Sequence, residues 1–236
     1  MRDEVYRHSQ PHIVDFAFTE AVAAVFPDMI RRSVPGYETM IPVTGLIAAR
    51  HLGEHQHAYD LGCSLGATTL AILQHNNTPT IRVTGLDNSA AMIAGARDRI
   101  TDPRADFVEQ DILNSDVTGA TVVVLNLVMQ FIAPKARLPL LRQLREQMSQ
   151  EGLLIVSEKV AHTDPWLHDL YEQTHIQWKK ANGYSDLEVS QKRTALENVM
   201  QIDTEQTHHA RFEQAGFTRA TQWYRCMNWA SFLVYP

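Results

Sequence analysis

The sequence predicts an α/β fold built on a wound, largely parallel sheet. Three observations carry that expectation. Apolar, β-branched runs alternate with helical segments from about residue 58 to 157. Three runs end in acidic or small residues, at Tyr59-Asp60-Leu61-Gly62-Cys63-Ser64-Leu65-Gly66, at Asp87-Asn88 and at Glu109-Gln110-Asp111-Ile112. The chain then closes on two β-like runs, 221–226 and 228–235, spaced as an antiparallel pair. Wound sheets bind ligands at the carboxyl edge of their strands, so the three acidic ends mark one candidate site.

In chain order, residues 1 to about 18 read as a loosely structured arm, and 18–26 carries apolar and small residues at helical spacing. Pro35-Gly36 stops whatever precedes it, and an amphipathic helix is predicted over 38–51, which makes 1–52 an N-terminal helical arm. Tyr37 reads equally as a surface turn aromatic or as a lid over a nucleoside. The regular part follows: strand 58–61, helix 67–75, strand 81–86, helix 89–100 capped by Ser89, and strand 105–109. A fully buried strand over 121–125 ends at Asn126, helix 134–149 comes next, and strand 152–157 is the fifth. Residues 160 to about 205 contain no clear strand and read as helices, with Trp166, Leu167, Leu170 and Tyr171 on one face and Ile176 and Trp178 beyond. Asn182-Gly183-Tyr184-Ser185 breaks that insert, and Ser185 can cap the next helix. The insert is either a substrate cap or a packing and interface pair. A helix ending at Ala215, stopped by Gly216, leads into the closing hairpin.

The glycine spacing narrows the ligand. A dinucleotide loop needs glycines at 62 and 64, and the chain has Gly62 and Ser64, so the glycine that meets a pyrophosphate is missing. An acidic residue followed by G-x-G-x-G, the S-adenosylmethionine (SAM) pattern, aligns on Asp60, Gly62 and Gly66, and only Ser64 departs from it. SAM has no pyrophosphate, so the departure is tolerable. Asp87 falls 21 positions after Gly66, where a carboxylate accepts both ribose hydroxyls, and no arginine follows it to hold a 2′-phosphate. Asp111 and the Ile112 N–H can read an adenine edge, or Asp111 is a turn aspartate. Asn126 and Gln130 lie near the reacting end, although Gln130 also suits a turn. The Asn/Asp-Pro-Pro-aromatic motif of amino-methylating enzymes is absent. With the closing hairpin, the pattern is that of a class I SAM-dependent methyltransferase-like (Rossmann-like) sheet carrying a helical cap insert, the whole of 1–236 forming a single SAM-binding domain.

Composition bounds the rest. With 21 Lys and Arg against 27 Asp and Glu the net charge is −6, and no basic run offers a nucleic-acid footprint. The two cysteines, Cys63 and Cys226, form no framework, which suits a reducing compartment. The start lacks an apolar leader core and no run is long enough to span a bilayer, so a cytoplasmic location is expected. His8 with His12 and His51 with His55 are spaced i, i+4, but Pro11 and Gly53 interrupt them, so no metal is expected.

Several stretches are more specific than the fold. Val25-Phe26-Pro27-Asp28-Met29-Ile30, Arg32-Ser33-Val34-Pro35-Gly36-Tyr37, the Asp60 loop and, in the insert, Lys180-Ala181-Asn182-Gly183-Tyr184-Ser185, Ser190-Gln191-Lys192-Arg193 and Leu196-Glu197-Asn198-Val199-Met200 closely resemble the carboxy-S-adenosyl-L-methionine synthases. The resemblance spans nearly the whole chain, except the arm before Val14 and the last residues. It implies that prephenate loses carbon dioxide and its ring hydroxyl to become phenylpyruvate, while the SAM methyl is deprotonated to a sulfonium ylide that captures the carbon dioxide. Carboxy-SAM is then used by a separate enzyme on the wobble uridine of certain tRNAs. It also implies a homodimer, and ligand contacts at Tyr37, Gly62, Cys63, Ser64, Asp87, Asn88, Asp111, Ile112, Asn126 and Arg193. The alternatives are a conventional small-molecule methyltransferase and a non-catalytic SAM-binding partner protein.

On composition alone Lys192 and Arg193 are a solvated helix face; the insert motif gives Arg193 a task. A guanidinium about 5 Å from a sulfonium is repelled by about 3 kcal/mol at an effective dielectric near about 20, so a plain methyl-transfer site gains nothing from it. A carboxylate between the two reverses the sign, and the guanidinium fork can hold it bidentately.

Overall fold

In the computed structural model residues 1–9 and 13–236 are described. Pro11 and His12, and with them the His8–His12 spacing, lie outside the described residues. Helices α1 (Glu20–Ser33) and α2 (Tyr37–His51) precede a sheet of β1 (His57–Leu61), β2 (Arg82–Asp87), β3 (Ala105–Glu109), β4 (Val122–Asn126) and β5 (Leu153–Ala161), with α3 (Ala67–His75), α4 (Ala90–Arg99) and α5 (Pro134–Gln147) between the strands. Then come α6 (Pro165–Ala181), α7 (Asp186–Glu197), the two-residue β6 (Asp203–Thr204), α8 (Glu205–Gln214), β7 (Arg219–Cys226) and β8 (Trp229–Tyr235).

The sheet order is β3-β2-β1-β4-β5-β8-β7, with β6 beside β5. Strands β1 to β5 pair in parallel, and β8 runs antiparallel to both β5 and β7. The strand order reverses between β1 and β4, and a wound sheet opens its ligand crevice at such a point. Every side chain of β4 from Val122 to Leu125 is buried, because helices cover both faces. Val123 and Leu125 face α5 and Phe212 of α8, while Val122 and Val124 face α2, α3 and α4. At roughly 1.5 to 3 kcal/mol for each large apolar side chain, these two layers dominate the favourable terms.

Helix α1 runs past the predicted limit at 26, through Pro27, to Ser33. Proline removes one backbone donor. Val22, Val25 and Met29 nevertheless pack on Leu65 and Met92, and that seam carries the helix onward. The insert also differs at its ends. Strand β5 continues through Ala161, and Asp203–Thr204 pairs with Val160 and Ala161, so the region expected to hold no strand begins and ends in the sheet. Within it Gly183 (φ +85°) makes the break, and Ser185 and Glu188 form a capping box for α7. The predicted apolar face of α6 packs only in part: Tyr171 meets the His162 ring edge-on (5.0 Å) and Leu167 is half-buried, but Trp166 is 70% exposed, and Leu170 and, further along, Trp178 are exposed too.

Behind the insert Arg137, 1% exposed, donates to Ile132 O (2.9 Å), Gln201 O (2.7 Å) and the Asp203 carboxylate, which Arg211 also reaches at 2.7 Å. Burial raises the Asp203 pKa, but the hydrogen bonds and charges of Arg211 and Arg137 outweigh it and hold the group below the ordinary range. Its folded-state pKa is depressed. Its contribution to stability is therefore present above the unfolded value near about 4 and is lost as pH falls through the folded value. Asp203→Asn leaves Arg137 buried without its counter-charge and should cost about 3 kcal/mol in urea unfolding at neutral pH. The deficit should narrow below about pH 4. A midpoint equal to that of the parent would contradict this account.

Candidate functional site

The site begins where β1 stops. Gly62 (φ +74°), Ser64 (φ +51°) and Gly66 (φ +78°) turn the chain from the sheet into α3. A Cβ on Gly62 would lie 2.5 Å from Val128 Cγ2, so no other residue fits there. The Gly62 and Cys63 N–H groups both donate to Leu86 O (2.7 and 2.9 Å), which binds the loop to the end of β2. Ser64 holds a left-handed conformation that costs a non-glycine residue about 1 to 2 kcal/mol. Its N–H donates to Asp87 Oδ2 at 2.9 Å, and the Ser89 N–H donates to Asp87 Oδ1 at 2.9 Å. One carboxylate thus fixes the loop and the start of α4. Burial raises the Asp87 pKa, against the lowering by those two donors.

The predicted residues, Arg193 excepted, line a single cavity of about 740 Å³ at the carboxyl edge of β1, β2 and β4. Beneath the loop Asp60 accepts from Thr69 N (3.1 Å) and Thr69 Oγ1 (2.8 Å). Burial, opposed by those bonds and reinforced by the charge of Asp87, pushes its pKa up to about 6. Asp111 both caps a short turn, accepting from Leu113 N at 2.9 Å, and lines the cavity with Ile112 and the exposed Asn88, so the two readings of Asp111 are compatible. Tyr37 is the first residue of α2 and lines the cavity; burial, then the charge of Asp60, raises its phenol well above the usual range, so it stays neutral. Burial does the same to the Cys63 thiol, which excludes a thiolate nucleophile there.

Asn126 is the most telling of these residues. Its amide Nδ2 donates to Thr68 Oγ1 at 2.9 Å, and its Oδ1 is buried without a partner among the described residues. An orphaned acceptor in a cavity wall fits a ligand that carries an ammonium group. After it Leu127 sits at φ +61°, and the next turn is held by Glu158, which accepts from Val128 N (3.1 Å), Met129 N (2.8 Å) and Gln130 N (3.0 Å). Gln130 lines the cavity but spends its Oε1 on Lys159 N at 3.1 Å, so it holds the turn as well.

Arg193 lies elsewhere. It is exposed on α7, outside the walls of its own chain's cavity, and the inward residue is its neighbour Lys192, 7% exposed, followed by Leu196, Val199 and Met200. Successive helical positions point about 100° apart, so one of the two cations had to turn away. The sequence reading missed Lys192 and the arm residues Phe16 and Phe18. Lys192 is the i+3 neighbour of buried Val189 and the i+4 neighbour of buried Glu188, a stripe that could have flagged it. Among the described residues no group of three or more His, Cys, Asp or Glu side chains is placed to hold a metal, and no helix is long and apolar enough to cross a membrane.

Known proteins resemble this chain. Residues 58–152 match a family model described as a methyltransferase domain. A protein of Pseudomonas fluorescens (strain SBW25), named carboxy-S-adenosyl-L-methionine synthase, is 44% identical over 99% of this chain and 98% of its own length. One of the same name from Trichlorobacter lovleyi is 45% identical over 98% of this chain and 97% of its own. Among solved structures, an O-methyltransferase family protein from Burkholderia thailandensis superposes with a TM-score of 0.68 at 14% identity, over 98% of this chain. This chain spans 66% of that protein's length, and the likeness concerns the fold, a class I SAM-dependent methyltransferase-like sheet.

Asp87→Asn keeps one acceptor oxygen but sets an amide NH2 against the Ser64 or Ser89 N–H, and if the expected ribose contact is made it should weaken SAM binding by about 1.5 to 3 kcal/mol beyond any loosening of the loop. Calorimetric titration of the folded variant measures this. An unchanged dissociation constant would remove the ribose role and leave only the loop.

Proposed function

This chain belongs to the carboxy-S-adenosyl-L-methionine synthase family, and from that premise we propose that it converts SAM and prephenate to carboxy-SAM, phenylpyruvate and water. The observation that carries the reading is identity of 44 to 45% with relatives of that name over 98 to 99% of the chain, a span that includes the insert as well as the glycine loop. Methyltransferase-like sheets share the loop; the insert sets this family apart.

In this reading SAM is a substrate, the chain carries no metal, and 1–236 works as one SAM-binding unit with an arm over 1–52 and a cap over about 160–205. Asp87 and Asn88 take the ribose, Asp111 and Ile112 the adenine, Asn126 Oδ1 the ammonium group, and Tyr37 with Gly62, Cys63 and Ser64 the methionine portion. Carbon dioxide and hydroxide leave prephenate, the SAM methyl gives its proton to the hydroxide, and the resulting ylide carbon bonds to the carbon dioxide. Several groups are suited to these steps. The apolar walls of Phe16, Phe18, Phe131, Leu196 and Val199 exclude water, and Tyr37, kept neutral by burial, offers no phenolate base there.

Arg193 holds the new carboxylate in this proposal. Since it is exposed in its own chain, it serves that role from a second copy, and the uncovered Trp166, Leu170 and Trp178 of the same insert supply an apolar surface for a homodimer. The product would feed a separate enzyme that modifies wobble uridine in tRNA, in the cytoplasm, with no direct nucleic-acid or membrane partner for this chain.

Incubation with SAM and prephenate, followed by mass spectrometry, should yield SAM heavier by one carbon dioxide together with phenylpyruvate. Formation of S-adenosylhomocysteine would point instead to a conventional methyltransferase, and tight SAM binding without turnover to a non-catalytic partner protein. Arg193→Ala should weaken carboxy-SAM binding by about 2 to 4 kcal/mol and leave SAM nearly unaffected, with Arg193→Lys recovering only part. Equal losses for the two ligands in competitive titration would remove the carboxylate role.

A further inference from the structure

We propose that Lys192 binds a carboxylate of the acidic second substrate inside the chain's own cavity and so helps set which acid is accepted; this rests on the carboxyl-transfer reading above. Lys192 lines the cavity, and its Nζ donates to Ser33 Oγ at 3.0 Å and stands 5.7 Å from the Tyr184 ring centre. An ammonium has three protons to donate. One goes to Ser33, and among the described residues no carboxylate oxygen pairs with Nζ within 4.0 Å. Asp3, whose charge reaches Lys192, is committed elsewhere: its Oδ1 accepts from Val5 N at 3.2 Å and its Oδ2 accepts from the Tyr184 hydroxyl.

A buried ammonium without an ion-pair partner is costly unless something arrives to pair with it. Burial chiefly, with the charges of Lys179 and Arg32 acting against that of Asp3, brings the Lys192 pKa down to about 7. An incoming carboxylate would favour the charged form and gain a charge-assisted hydrogen bond. The sulfonium of SAM is repelled by the ammonium, and the methionine carboxylate of SAM is the competing partner, which the SAM affinity of the variant separates from the acid.

Charge in the cavity is also segregated. Asp60, Asp87 and Asp111 gather at the loop end, whereas Lys192 and the exposed Arg31, which pairs with Glu38 only at 3.9 Å, stand toward α1 and α7. A cationic nucleoside suits the first end and an anionic acid the second. The hydrogen-bonded set of Lys192, Ser33, Tyr184 and Asp3 holds the ammonium in place, and through it the N-terminal arm, which also accepts Gln191 Nε2 on Tyr6 O (2.9 Å) and His8 O (3.0 Å), positions α7.

The test is Lys192→Met, which keeps the length of the side chain and removes its charge. Prephenate and phenylpyruvate are titrated calorimetrically into wild type and variant, both saturated with S-adenosylhomocysteine, which has no methyl to give, and KM and kcat for prephenate are measured with SAM. We expect the prephenate dissociation constant and KM to rise by about 30-fold or more, with SAM affinity within about threefold of wild type. Equal losses for SAM and prephenate, or unchanged prephenate affinity, would overturn the proposal and leave Lys192 a tie between α7 and α1. Wild type that binds prephenate but transfers no carboxyl would defeat the reaction assigned above while the binding comparison still decides the role of Lys192. Wild type that binds neither acid would defeat both. If the Met variant does not fold, acetic anhydride labelling of wild type saturated with S-adenosylhomocysteine serves: prephenate should protect Lys192 from acetylation in the mapped peptides, and undiminished labelling would overturn the proposal.

Discussion

The site depends on one carboxylate. Asp87 ends β2 and accepts the Ser64 N–H on one oxygen and the Ser89 N–H on the other. Removing it would free the left-handed Ser64, release the start of α4, and take a carboxylate from the wall of the cavity. Hydrogen bonds to an ionised group contribute about 1.5 to 3 kcal/mol each, which exceeds the conformational cost at Ser64. The loop therefore needs glycine at 62, where Val128 crowds it, but not at 64, where a side-chain carboxylate anchors the backbone.

That distinction explains which parts were legible in the sequence. Strand β3 and helix α3 fall where periodicity placed them: α3 buries Thr68, Thr69, Ala71, Ile72 and Leu73, and β3, an edge strand that buries only Phe107, ends at the polar Glu109-Gln110-Asp111 stop. Strand β5 was read four residues short, since Glu158 and Lys159 look like a surface boundary. Both are buried and satisfied: Glu158 by three backbone donors, Lys159 by Glu172 at 2.6 Å. Polarity in a sequence marks exposure only when no partner is supplied from elsewhere in the chain.

In the site, Asp87 and Asp111 were readable because strand ends fix where they must lie. The choice between Lys192 and Arg193 was not, because adjacent helix positions differ only in phase, and phase is set by what the helix covers. Here it covers α1 through Ser33 and the arm through Gln191, neither of which a local pattern records. Phe16 and Phe18 were hidden for the same reason. They precede any regular element, and they gain their place by edge-on contact with each other (5.1 Å) and, for Phe18, with Phe131 (5.7 Å).

The cavity these residues enclose has three carboxylates at its loop end and Lys192 at its insert end, with apolar walls between, and in the proposed reaction those walls would hold the carbon dioxide until the ylide carbon bonds to it. The most direct test uses prephenate carrying ¹³C in its ring carboxyl, with SAM and an excess of unlabelled bicarbonate. The account predicts ¹³C in the new carboxyl of SAM at close to the enrichment of the prephenate, mole for mole with phenylpyruvate. Label recovered in bicarbonate, with unlabelled or uncarboxylated SAM, would contradict it.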